Sequence, residues 1–176
     1  MNKYEHRYKT PTRLIIVLFF PFFIMSTFTL SAQKPVDFSG KWKLDLFKSD
    51  TIPGLISETL VIIQNGDEIT INRDIETKST RPIKGVFNYT VGKSVESNSK
   101  AGTNITSCEW SNDRQNLIIT DIVSSEKNGV KSESKRVSTY SILDNGKKLT
   151  IISDDTYPDD CNHGGKGHLN QVFLKL

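Results

Sequence analysis

Four acids, two histidines and a cysteine share one glycine-rich stretch, Asp154-Asp155-Thr156-Tyr157-Pro158-Asp159-Asp160-Cys161-Asn162-His163-Gly164-Gly165-Lys166-Gly167-His168. Thiolate, imidazole and carboxylate are the donors zinc takes in tetrahedral sites, so Cys161, His163 and His168 with one aspartate would supply a ligand set. Their spacing matches no established zinc pattern, and a loop of Asp, Gly and His serves equally as a solvated connection, so no metal is assigned. The sulfur has another use. The chain holds two cysteines, Cys108 and Cys161, and an even count in an exported chain predicts a disulfide between them. Serine, histidine and aspartate are all present, yet nothing forms a nucleophile elbow, a phosphate loop or a His-Glu zinc helix. The chain is read as a non-enzyme, and no cofactor is assigned.

Residues suited to holding a small molecule lie elsewhere. In 81–91, Ile83, Gly85, Phe87, Tyr89 and Val91 share one face of an extended strand, with Lys84, Asn88 and Thr90 on the other. In 130–143, Ser132, Ser134, Arg136, Ser138, Tyr140 and Ile142 share a face. Turned inward, these faces bring Phe87, Tyr89, Arg136 and Tyr140 together, with Trp110 ending a strand at the rim. Rings would give apolar contact while phenols and guanidinium orient a polar or anionic group. A buried arginine needs an acidic partner or a ligand. The competing reading leaves 130–143 as an edge strand wet on both faces, and a small barrel can be filled by side chains alone.

The elements that must position these residues are strands. Short β-type runs, 57–64, 68–73, 81–91, 94–99, 103–110, 116–125, 130–143, 149–153 and 169–175, are separated by Asn65-Gly66, Gly92-Lys93, Asn112-Asp113, Asn128-Gly129 and Asn145-Gly146. Asn-Gly pairs favour the positive φ angles of two-residue turns, so each joins neighbouring antiparallel strands. With a strand around Trp42 the pattern predicts an all-β, up-and-down meander closed into a barrel of about 8–10 strands, because that many strands left flat would expose two edges. A two-sheet β-sandwich is the alternative.

The first strand carries Phe38-Ser39-Gly40-Lys41-Trp42-Lys43-Leu44-Asp45 followed by Lys48-Ser49-Asp50. Gly-x-Trp at this place resembles the lipocalin and calycin superfamily, and the longer motif, with Trp110 and Leu143–Thr150, resembles the bacterial lipocalin-like domain proteins. The resemblance implies a structural role for Gly40 and for Trp42, packed across the closed end of the barrel under a basic residue near the last strand, for which the terminal candidate is Lys175. It implies a barrel binding a small, partly apolar molecule; the alternative is a structural or protein-interaction module with a filled barrel.

Residues 1–32 read as an export signal. Lys3, Arg7, Lys9 and Arg13 make a basic start, Leu14 to Met25 is apolar apart from Pro21, and small and polar residues lead to Ala32. No cysteine lies near the cut, which excludes lipid attachment there. An uncleaved anchor is the alternative, although Pro21, Ser26 and Thr27 interrupt a run already short for spanning a bilayer. Of 23 basic and 20 acidic residues the signal takes four and one, leaving 19 of each. A neutral mature chain gives no support for nucleic-acid binding. The expected protein is one barrel domain, 33–176, secreted or periplasmic, with no stable membrane insertion after cleavage. N-terminal sequencing of the envelope fraction should return Gln33 as the first residue; intact Met1 in the inner membrane would make the run an anchor.

Overall fold

Period-two alternation broken by glycine turns builds ten strands and, among the described residues, no α-helix. The computed structural model describes residues 34–78, 81–99, 102–127, 129–158 and 165–176. In chain order the strands are β1 (Gly40–Leu44), β2 (Leu55–Asn65), β3 (Glu68–Thr77), β4 (Ile83–Thr90), β5 (Lys93–Ser99), β6 (Gly102–Trp110), β7 (Asn116–Lys127), β8 (Val130–Leu143), β9 (Lys148–Tyr157) and β10 (Gly165–Lys175). They form a single antiparallel sheet in the order β4-β3-β2-β1-β10-β9-β8-β7-β6-β5. First and last strands pair, Trp42 opposite Lys175 and Leu44 opposite Phe173. The sheet therefore curls into a nearly closed barrel, and one sheet in one order rules out the sandwich.

One expected hairpin does not form a ladder. β4 and β5 are the two ends of the sheet order although only Val91 and Gly92 separate them. The tether is pulled both ways: the Val91 amide donates to Asp67 O at 2.8 Å and the Gly92 amide to Cys108 O at 2.8 Å. Each half of the turn is thus bonded to the neighbour on its own side, and a seam is left between β4 and β5. Elsewhere the turn chemistry holds. Gly66 has φ 62° between β2 and β3, and Asp144 and Asn145, both at positive φ, make a single 3₁₀ turn between β8 and β9.

One end of the barrel is solidly packed. Trp42, Phe38, Phe173 and Leu149 are fully buried, among Ile62, Ile69 and Leu117. Phe38 precedes β1 and belongs to a plug across this end rather than to the strand the alternation predicts. The Phe38 amide donates to Gln64 Oε1 at 2.9 Å, Gln64 Nε2 donates to Val36 O at 3.1 Å, and the Phe38 ring stacks on Trp110 with centroids 6.0 Å apart. Trp42 Nε1 donates to Phe38 O at 3.1 Å, which satisfies the one polar atom of the indole. Lys175 Nζ sits 5.1 Å from the centre of the Trp42 ring, supplying the expected basic cap through a cation–π contact. Gly40 makes room for it: at φ +150° its Cβ would stand 2.8 Å from Lys175 Cε.

Trp42 thus ties plug, first strand and last strand together. Trp42→Ala should cost about 3 to 5 kcal/mol, the usual range for a large aromatic removed from a core. Urea unfolding measures it, and a loss well under that range would mean the closed end is not where the stability resides.

Candidate functional site

Toward the other end the inward face changes character, and it does so strand by strand. Two residues along each strand, which is one step on the same face, Leu60 gives way to Glu58, Ile71 to Arg73, Ile119 to Asp121, Ile151 to Ser153 and Tyr140 to Ser138. These ten residues line one cavity of about 250 Å³. Apart from Tyr140 the first residue of each pair is aliphatic, and the second is polar.

The polar wall is paired within itself. Glu58, 1% exposed, accepts Arg73 Nε at 2.6 Å on one oxygen and Gln171 Nε2 at 3.1 Å on the other. The buried Ser138 and Ser153 hydroxyls bond each other at 2.9 Å, and Thr106 donates to Asp121 Oδ1 at 2.6 Å. At the rim Arg136 Nε and Nη2 meet Asp155 Oδ1 and Oδ2 at 2.7 and 2.9 Å, and the Tyr157 hydroxyl adds a bond of 2.9 Å to Oδ2. This fork-on-fork geometry is the strong form of an ion pair. The Arg136 hydrogen bonds hold the Asp155 carboxyl below the usual carboxylate range.

Two phenols are not committed in this way. Tyr89 and Tyr140 line the cavity, and neither hydroxyl is bonded to a described residue. Burial pushes the Tyr140 phenol up to about 12, and burial likewise raises Tyr89 well above the ordinary phenol range. Both are neutral hydroxyls at neutral pH, available to donate or accept.

Of the residues the sequence singles out for a ligand, Phe87, Tyr89, Arg136 and Tyr140 line this one cavity. Phe87 is 44% exposed toward the seam, and Arg136 stands at the rim with its charge already matched by Asp155. Trp110 is not in the lining; it stacks on Phe38 at the closed end, with its Nε1 buried and unpartnered. β8 lies between β7 and β9 rather than at an edge, and its Ser138 and Tyr140 face the cavity with Arg136 at the rim. Sequence parity misses Glu58, Arg73, Asp121 and Gln171, although Glu58 falls on the same alternate positions as Leu60 and Ile62.

Cys108 is a free thiol on the inner face of β6, 2% exposed, and burial pushes it up to about 12, which keeps it in the thiol form at neutral pH. The expected disulfide partner of Cys108, Cys161, lies outside the described residues, as does His163. His168 is exposed and pairs with Asp154 at 2.8 Å. No group of three His, Cys, Asp or Glu side chains among the described residues could hold a metal ion.

No protein-family model and no curated protein sequence matches the chain. Solved structures do. The crystal structure of a point mutant of the fluorescent protein UnaG superposes with a TM-score of 0.50 at 14% identity, covering 79% of this chain and 96% of that one. Secretory abundant heat soluble protein 4 from Ramazzottius varieornatus superposes with a TM-score of 0.48 at 12% identity, covering 82% and 99%. At such identity the likeness to UnaG shows a shared barrel fold and nothing finer.

The buried phenols give the site a pH signature. A group whose folded pKa is raised stabilises fully below its unfolded value and loses that contribution as pH rises through the folded one. For Tyr140 the loss runs from about 10 to about 12. Stability should fall across that window, and Tyr140→Phe should flatten the fall. Phenolate absorbance of folded and denatured protein checks this, and identical titration curves would contradict the burial.

Proposed function

We propose that the chain is an exported, non-catalytic barrel that takes a small, partly apolar molecule into the cavity above its packed end. The observation that carries this reading is the pair of neutral phenols, Tyr89 and Tyr140, facing open space beside aliphatic side chains while the polar wall around them is bonded to itself. A barrel meant only as a scaffold would fill that space. At about 250 Å³ the cavity lies just under the roughly 300–1,000 Å³ usual for small-molecule sites, so the ligand is small. Phe87 and Tyr140 supply ring surface, and the phenols orient a polar group.

Kinship with the bacterial lipocalin-like domain proteins belongs to this reading and is supported by Gly40, Trp42 and the Lys175 cap. So does a secreted or periplasmic location after cleavage behind Ala32. Native mass spectrometry of protein purified from its own cell envelope should find a small molecule retained. A bare barrel with a co-purifying protein would favour an interaction module instead, for which the fully exposed Phe47 after β1 offers an apolar contact.

A further inference from the structure

The acids around the cavity are not equivalent. Glu58 is satisfied by Arg73 and Gln171, and Asp155 by Arg136 and Tyr157. Asp121 has no ion-pair partner among the described residues: Arg136 stands directly across the β7–β8 ladder from it but turns its guanidinium to Asp155. Asp121 Oδ1 accepts the Thr106 hydroxyl. Of these three carboxylates two are each held by a guanidinium, and Asp121 alone is left without a salt bridge. Lys93, on the same face of β5 as Cys108 on β6, lines the seam with Asp121 but forms no ion pair with it.

Asp121 also stands where three hollows meet. It borders the interior cavity, a rim hollow of about 280 Å³ shared with Arg136 and Asp155, and a seam hollow of about 290 Å³ shared with Phe87, Tyr89 and Thr106. Asn104, the next residue along the Thr106 face of β6, has a buried Oδ1 with no donor. This corner offers acceptors and aromatic faces, and the lysines at its edges, Lys93 and Lys135, form no ion pair with Asp121. A protonated amine supplies donors and charge together, and rings beside it add cation–π attraction.

Building on the binding function proposed above, we infer that the ligand is a small organic cation, an ammonium seated on Asp121 with its apolar part against Phe87 and Tyr89. Arginine-led recognition of an anion, which the sequence suggests through Arg136, does not fit, because both guanidinium groups are held by carboxylates.

Three size-matched probes, 2-phenylethylamine, 2-phenylethanol and phenylacetate, titrated calorimetrically into the purified protein test this. The amine should bind at least about tenfold more tightly than the alcohol, as one partly desolvated charge pair provides, and the carboxylate should bind most weakly. Asp121→Asn keeps an acceptor for Thr106 and should erase the advantage of the amine over the alcohol. The ranking on the unsubstituted protein is decisive even should the substituted chain not fold. Equal binding of amine and alcohol, or tightest binding of phenylacetate lost on Arg136→Ala, would overturn the cation and leave the cavity standing as a ligand site. Binding of none of the three would overturn both.

Discussion

Closure of the sheet rests on the first strand finding the last. The β1–β10 ladder is short, three residue pairs from Trp42–Lys175 to Leu44–Phe173, and it is reinforced on both sides. Beyond β1 the chain keeps bonding along β10: the Asp45 amide to Val172 O and the Asp50 amide to Asn170 O at 2.8 Å each, and the Val172 amide to Ser49 Oγ at 2.8 Å. At the other side the Leu176 amide returns to Lys41 O at 2.9 Å. The indole then fixes the junction from inside. Its burial supplies the hydrophobic gain, its N–H is satisfied by Phe38, and the cap of Lys175 closes over it. The packing of the plug against Trp110 follows from that junction.

Above this end the chain places buried charge where an aliphatic core would be more stable. A buried carboxylate such as Glu58, paired with the half-buried Arg73, repays its desolvation only with good geometry and further hydrogen bonds, and Gln171 provides one. The change from aliphatic to polar comes one step along the inner face on each of β2, β3, β7 and β9, so the cavity is apolar on one side and polar on the other.

Much of the fold can be read in the sequence because its determinants are local. Asn65-Gly66 and Asn145-Gly146 specify turns within a few residues, and alternation around Phe87 and Tyr140 assigns inner faces wherever the strand is regular. What escapes depends on distant partners. The failure of β4 to pair with β5 is decided by Asp67 and Cys108, which capture the two amides of the tether. Strand parity puts Trp110 at the rim, but height along a barrel depends on strand stagger, and the ring goes to Phe38. The state of Arg136 cannot be read from β8 alone, since its partner Asp155 lies across the ladder on β9.

The seam has a consequence for how the chain is threaded. In hydrogen-bond order the sheet begins at β5 and ends at β4, while the polypeptide enters and leaves in the middle, at β1 and β10. The architecture is thus a circularly permuted simple meander, cut at a junction that is laddered and joined at one that is not. The contact that completes it links opposite ends of the domain sequence, and such non-local closure is the slow kind. The Val91-Gly92 tether, by contrast, crosses no ladder. Around the whole circle of described strands it is the one join made by covalent chain in place of a ladder.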